Sequence, residues 1–143
     1  MANNYRPSWK AEVGINYVPA YQVSGRPYAS GTIDSTANTT EGVKIEFPTV
    51  TRWVAVINND VTNSVRVAFS QNGLKGENHF TIGPKRDGST ARSSAEGPLE
   101  FKVSEIWISG STDVDIVAGL TSIETAKCSG SSGTSWSGSI GVG

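Results

Sequence analysis

The chain is poor in the residues that most often carry chemistry, with one cysteine and one histidine among 143 residues. A single cysteine, Cys128, excludes a disulfide within the chain. Metal sites usually combine several His, Cys or carboxylate ligands, and His79 has no such partners in the sequence pattern. We therefore expect no metal site and no cofactor. His79 is interpreted as a strand residue and Cys128 as an incidental thiol.

The sequence also lacks an excess of one charge and lacks long apolar runs. Its formal net charge is −1, from 12 basic and 13 acidic residues. No overall positive field would attract nucleic acid or an anionic membrane, so we expect no direct nucleic-acid partner. No apolar run approaches the roughly 20 residues of a membrane span, and the N-terminus has no apolar signal core.

Motifs of common enzymes are missing as well. No serine is framed by the glycines of a nucleophile elbow, and the Gly/Ser-rich segment 129–133 lacks the lysine of a P-loop. Two carboxylate pairs are present, Glu100 with Glu105 and Asp113 with Asp115. A hydrolytic pair needs a cleft and one carboxyl with a raised pKa, which the pattern does not indicate. The prediction is that the chain is not an enzyme, with a small hydrolase as a remaining alternative.

Short strands dominate what is present. Val43, Ile45 and Phe47 alternate with charged residues, which predicts a strand with one buried face. The same alternation or apolar content marks further strands at 53–57, 64–70, 79–82, 99–103, 106–108 and 114–123. Counting gives seven to nine strands and no segment with helical periodicity. This pattern is typical of an all-β sandwich or barrel.

The run from Trp53 to Ile57 carries no charge, so it predicts a strand covered on both faces. Asn58, Asn59 and Asp60 follow it as a turn-type cluster. From these runs we predict four large core side chains: Trp53, Phe69, Phe101 and Trp107.

Composition divides the chain into three parts: an N-terminal arm at 1–32, a sandwich domain at 33–125 and a flexible Gly/Ser-rich tail at 126–143. The arm combines aromatic residues with prolines and glycines that break regular structure. It either wraps over its own domain or docks on a neighbouring subunit. The residues predicted to dock are Tyr5, Trp9, Tyr21, Arg26 and Tyr28.

Several segments resemble a family of viral proteins. They are the segment 21–28 (YQVSGRPY), the pattern Phe47-Pro48-x-Val50-x-x-Trp53-Val54-x-Val56-x-Asn58, the pattern Phe69-Ser70-x-Asn72-Gly73, Phe80, the segment 106–108 (IWI) and the segment 117–123 (VAGLTSI). Over about residues 20–124 the chain is similar to single jelly-roll penton and minor capsid proteins of large icosahedral double-stranded DNA viruses. In that lineage the major capsid proteins have double jelly rolls.

The resemblance implies an eight-stranded single jelly roll located in the virion, assembled as a homopentamer at five-fold vertices. It also implies contacts with major and minor capsid proteins through the termini. The chain lacks the inserted spike domain of larger relatives, so a penton subunit and a cement or minor capsid subunit both stay open. The alternative function is a carbohydrate- or receptor-binding β-sandwich module of a larger assembly.

Overall fold

The computed structural model describes residues 13–22, 25–38, 40–87, 90–91 and 95–143. Its strands are β1 (Arg26–Ile33), β2 (Val43–Glu46), β3 (Thr51–Asn58), β4 (Val65–Ala68), β5 (His79–Ile82), β6 (Arg86–Asp87), β7 (Thr90–Ala91), β8 (Ala95–Leu99), β9 (Glu105–Ser109) and β10 (Val114–Leu120). The described helical segments are α1 (Pro19–Gln22), α2 (Gln71–Lys75) and a 3-10 turn at Thr125–Lys127. None of these helices is long and apolar enough to cross a membrane.

Eight of the described strands form two four-stranded sheets, and the prediction of an all-β sandwich is confirmed. The first sheet has the order β1-β10-β3-β8 and the second has the order β2-β9-β4-β5. Every neighbouring pair is antiparallel. Strands β6 and β7 pair separately as a small two-stranded sheet.

The core lies between the two sheets and is built from alternate residues of most of their strands. β3 contributes Val54 and Val56, and β4 contributes Val65 and Val67. Because successive side chains of a strand point to opposite faces, the strands that alternate in sequence also alternate in burial. The remaining core side chains are aliphatic, except for Phe47: Ile45, Phe47, Ile82, Val103, Ile106, Ile108, Val114, Ile116, Ala118 and Leu120.

The predicted core aromatics are misplaced in three of four cases. Phe69 is partly buried and packs against the core, as expected. Trp53 and Trp107 are half-buried and lie outside the core, because Val54 takes the inward position next to Trp53, and Ile106 and Ile108 take those on both sides of Trp107. Phe101 follows the end of β8, is 39% exposed and packs edge-on against Phe69, with ring centroids 5.0 Å apart.

The predicted flexible tail is wrong for the segment after Cys128. Ser135 is fully buried, and its Oγ accepts hydrogen bonds from the backbone N–H groups of Ser104 at 3.0 Å and Glu105 at 3.3 Å. Trp136 packs against the core and donates its indole N–H to the carbonyl of Lys102. A Gly/Ser composition predicts flexibility only when nothing anchors the chain, and here a buried serine and an indole do so.

The predicted domain boundary at residue 32 is also wrong. β1 spans Arg26–Ile33 and pairs with β10 inside the first sheet. Val13 and Ile15 pack against a second small cluster formed by Val50, Ile123 and Cys128. The described part of the predicted arm therefore lies on its own domain, while residues 1–12 are outside the described range.

Candidate assembly surface and polar sites

The outer face of the first sheet is mostly apolar, and the carboxylate of Asp115 lies opposite Ile57 at one end of it. In β3 the side chains of Val54 and Val56 point into the core, so those between them point outwards. On this outer side Ala55 pairs with Val117 of β10, which pairs in turn with Ala29 of β1. We define the apolar face by Pro27, Ala29, Trp53, Ala55, Ile57 and Val117. Outward residues of a β-sandwich are usually polar, whereas here Pro27 and Ala29 are exposed and Trp53, Ala55, Ile57 and Val117 are half-buried.

Trp53 extends the apolar face at one end because its cross-strand partner is a glycine. Gly119 pairs with Trp53 across β10 and β3. A Cβ atom on Gly119 would overlap the indole ring of Trp53. The missing side chain therefore leaves room for the indole to lie against the strand, which explains why this tryptophan is half-buried without belonging to the core.

The outer face of the second sheet is polar and charged. At one edge of this face, in β2, Lys44 places its Nζ 2.7 Å from Glu46 Oε1 and 2.9 Å from Glu105 Oε2. Trp107 pairs with Lys44, and its Nε1 donates to Glu105 Oε1 at 3.3 Å. Hydrogen bonds to Glu46 and Glu105 raise the pKa of Lys44 above its usual value. We define the charged face by Lys44, Glu46, Arg66, His79, Thr81, Glu105 and Trp107.

An open cleft of about 670 Å³ lies beside Lys44, where the edges of β1 and β2 approach each other. Glu46 and Glu105 bring carboxylates to its wall. The hydroxyl-bearing residues along it are Tyr28, Ser104, Thr125 and Thr134. A cleft of this size is within the range of small-molecule sites.

The predicted arm residues fall into different environments. Tyr5 and Trp9 lie outside the described residues. Tyr21 is partly buried, with Lys102 Nζ 4.6 Å from its ring centroid. Tyr28 packs edge-on against Phe47 with ring centroids 5.1 Å apart. Arg26 is exposed. Both described tyrosines are therefore used, at least in part, to hold their own domain together.

Asp60 is the centre of a dense hydrogen-bond network at one end of the sandwich. It is 6% exposed. Its Oδ1 accepts from Thr62 N at 2.8 Å, Thr62 Oγ1 at 3.1 Å and Asn63 N at 2.9 Å. Its Oδ2 accepts from Asn63 Nδ2 at 3.0 Å, Thr112 N at 3.0 Å and Thr112 Oγ1 at 2.7 Å. Burial alone would raise the pKa of Asp60, but these hydrogen bonds outweigh it and hold the pKa far below its usual range.

The neighbouring Asn58 is fully buried and ties the same end together from inside. Its Nδ2 donates to the carbonyls of Asn63 at 2.9 Å and Gly83 at 3.0 Å. Its Oδ1 accepts from Ser111 Oγ at 2.7 Å. The turn-type cluster after β3 therefore joins the loops that follow β3, β5 and β9, which is a structural role.

The other candidate groups for chemistry are dispersed. The predicted strand at His79–Ile82 is present as β5, and His79 lies on the outer side of the second sheet. Cys128 is buried, and burial raises the pKa of its thiol to about 11. Asp115 accepts from Thr32 N at 2.9 Å and from Asn59 Nδ2 at 2.7 Å. Among the described residues, no group of three or more His, Cys, Asp or Glu is placed to hold a metal ion.

No family model matches the chain, and no match is found among curated proteins or solved structures. The functional inference therefore depends on the sandwich and its surfaces.

The sequence pattern misses the apolar face because it assigns the run from Trp53 to Ile57 to a strand buried on both sides. An uncharged strand with one face in the core and one face in a subunit interface has the same pattern. The polar cleft has no local signal either, since β2, β9 and the C-terminal segment all contribute to its lining.

Proposed function

We propose that the chain is a structural subunit of a virus capsid, with a single jelly-roll fold, that assembles with copies of itself and with other capsid proteins. The observation that carries this proposal is the apolar face. Trp53, Ile57 and Val117 are half-buried in the single chain, and the apolar surface that they still expose costs about 25 cal/mol for each Å² left in water. A neighbouring copy would remove that cost.

The strand order supports the jelly-roll part of the proposal. In a jelly roll, eight antiparallel strands form two four-stranded sheets through two Greek keys. Here the chain moves from the first sheet to the second between β1 and β2, returns at β3, and leaves again for β4 and β5. Its first strand pairs with its last, since β1 is the neighbour of β10. The resemblance of residues 20–124 to single jelly-roll capsid proteins points in the same direction.

Size sets a condition on the contact. Four strands about 4.8 Å apart and about six residues long at 3.3 Å per residue give a flat sheet face of roughly 400 Å². A stable interface buries roughly 800 Å² on each partner. The apolar face alone falls short, so the proposal requires a further contact from strand edges or from the segment 1–12, which contains Tyr5 and Trp9.

A closed ring of five is the proposed arrangement. A ring is built from heterologous contacts, in which two different surfaces of the same subunit meet and the rotation closes. The apolar face is one such surface. The penton position, the virion location and the absence of enzymatic activity belong to the same proposal. The carboxylates of the cleft support the proposed absence of enzymatic activity. Glu46 and Glu105 both bind the Lys44 ammonium, whereas a glycosidase pairs one acid with one nucleophile or base.

Two matched lysine substitutions test the proposal. Val117→Lys places a charge in the middle of the apolar face, between Ala29 and Ala55, whereas Thr81→Lys places the same charge on the exposed outer side of the second sheet. In light scattering of the purified full chain, the wild type and Thr81→Lys should associate, and Val117→Lys should remain monomeric. A wild-type chain that stays monomeric at every concentration, alone and with capsid partners, would contradict the proposal.

The cleft beside Lys44 favours one second function, carbohydrate binding. Carboxylates and several hydroxyl groups along an open cleft can hydrogen-bond the hydroxyls of a sugar. A glycan array should then give hits that are lost in Glu105→Gln and kept in Glu77→Gln, where the exposed Glu77 lies outside the lining of the cleft. An array without hits would remove this second candidate.

A further inference from the structure

A small basic pocket lies between β4, the end of β9, α2 and the loop before β2. It is lined by Thr40, Arg66, Leu74, Lys75 and Ser109, and its volume is about 160 Å³. The four polar members are far apart in sequence and are brought together by the fold. Arg66 pairs with Ser109 across β4 and β9, while Lys75 is in the last turn of α2.

The charges of this pocket are not balanced within it. Neither Arg66 nor Lys75 makes an ion pair with any residue that the structure describes. No acidic side chain of the described chain lines the pocket, and Glu41, although adjacent to Thr40 in sequence, is not part of the lining. Two cations that share one pocket repel each other, and a bound anion would remove that repulsion.

The donors suit an anion with several oxygens. Arg66 offers a planar guanidinium that can donate two parallel hydrogen bonds, and Lys75 offers an ammonium. Thr40 and Ser109 add two hydroxyl donors, and Ser109 is only 3% exposed. Leu74 is buried and forms an apolar part of the wall. Four donor residues from separate elements match the three or four oxygens of such an anion better than the two oxygens of a carboxylate.

The volume agrees with a group of that size. On this measure of volume about 10–15 Å³ suffices for one water molecule, so a pocket of about 160 Å³ has room for one tetrahedral oxyanion together with solvent.

We propose that this pocket binds a phosphate or sulfate group, held by Arg66, Lys75, Thr40 and Ser109. The site is independent of the apolar face and does not depend on the capsid proposal. The shared chemistry is a tetrahedral oxyanion, which a free inorganic ion or a sulfated sugar could supply.

The test is a titration of the isotope-labelled full chain, followed by NMR, with sodium phosphate, sodium sulfate, a sulfated disaccharide and sodium acetate. Ionic strength is held constant with sodium chloride so that general screening does not imitate binding. Phosphate or sulfate should shift the backbone resonances of Arg66, Lys75 and Ser109 in a saturable way. Acetate should bind at least about tenfold more weakly, since it leaves part of the donor set unused.

Three variants decide the outcome. Arg66→Gln should weaken phosphate or sulfate binding by about tenfold or more, and Lys75→Gln should weaken it by about threefold or more. Lys85→Gln is the control, because Lys85 is exposed and lies outside the pocket, and it should change the affinity by less than about twofold. Should Arg66→Gln not fold, as judged by its amide spectrum, Lys75→Gln decides alone. No saturable shift, equal affinity for acetate, or binding unchanged in both pocket variants would overturn the proposal. A stronger response to the sulfated disaccharide than to free sulfate would identify the sugar as the source of the group.

Discussion

Replacing Asp60 with asparagine removes one charge and keeps the shape of the side chain, so it isolates the contribution of the network at the end of the sandwich. Each carboxylate oxygen of Asp60 accepts three hydrogen bonds. Whichever way the new amide is oriented, its NH₂ group faces three donors and cannot accept from them. Hydrogen bonds to charged groups contribute about 1.5–3 kcal/mol each. After partial solvation of the freed donors, we expect Asp60→Asn to lower the free energy of unfolding by about 3 kcal/mol.

The pH dependence gives this prediction a second readout. The pKa of Asp60 is far below its usual range in the folded chain, and in the unfolded chain it is about 3.9. The stabilisation by Asp60 is therefore fully present above about pH 4 and is lost progressively as the pH falls below that value. The difference between wild type and Asp60→Asn should be constant near neutral pH and should shrink as the pH falls from about 5 to about 2.

The assay is urea denaturation followed by tryptophan fluorescence at a series of pH values. Asp34→Asn is the matched control, because Asp34 is exposed and only its Oδ1 accepts, from Thr36 N at 2.9 Å and Thr36 Oγ1 at 2.6 Å. An asparagine can keep both bonds, so its effect should stay within about 0.5 kcal/mol. A cost below about 1 kcal/mol for Asp60→Asn, or a cost that does not vary with pH, would show that the hydrogen bonds to the Asp60 carboxylate do not stabilise the fold.

Two further predictions concern the C-terminal segment. Trp136→Ala should lower the free energy of unfolding by about 3 kcal/mol, because the indole packs against both apolar clusters. Ile140→Ala should change it by less than about 0.5 kcal/mol, because Ile140 is fully exposed. Equal effects in urea denaturation would mean that the segment does not stabilise the sandwich. Cys128 should resist iodoacetamide at pH 8 in the native chain and react in urea, since burial raises its thiol pKa to about 11. Rapid labelling of the native chain, measured by mass spectrometry, would contradict its burial.

Strands with simple alternation could be predicted from the sequence because one periodicity determines them. The alternation predicts inward side chains for Val43 and Ile45 in β2 and for Val65 and Val67 in β4. In the structure Ile45, Val65 and Val67 are buried in the core, and Val43 packs against it. The burial of Trp53 could not be predicted, since an uncharged run does not distinguish a core from an apolar outer face. Both environments select the same residues.

Long-range contacts explain the remaining differences between the structure and what the sequence predicts. The C-terminal segment is ordered by Ser135 and Trp136, which meet partners about thirty residues earlier in the chain, at Lys102, Ser104 and Glu105. Composition reports only the local preference for flexibility. The basic pocket around Arg66 has the same origin, because no window of the sequence contains its members together.

Native mass spectrometry of the purified full chain shows whether this sandwich assembles into a closed ring. We expect one dominant species at five times the 15.1 kDa mass of the chain, since a heterologous contact that closes produces a single ring size. The Val117→Lys variant should give the monomer mass. A wild-type spectrum containing only the monomer, or an open series of increasing masses with no preferred size, would contradict assembly into a closed ring.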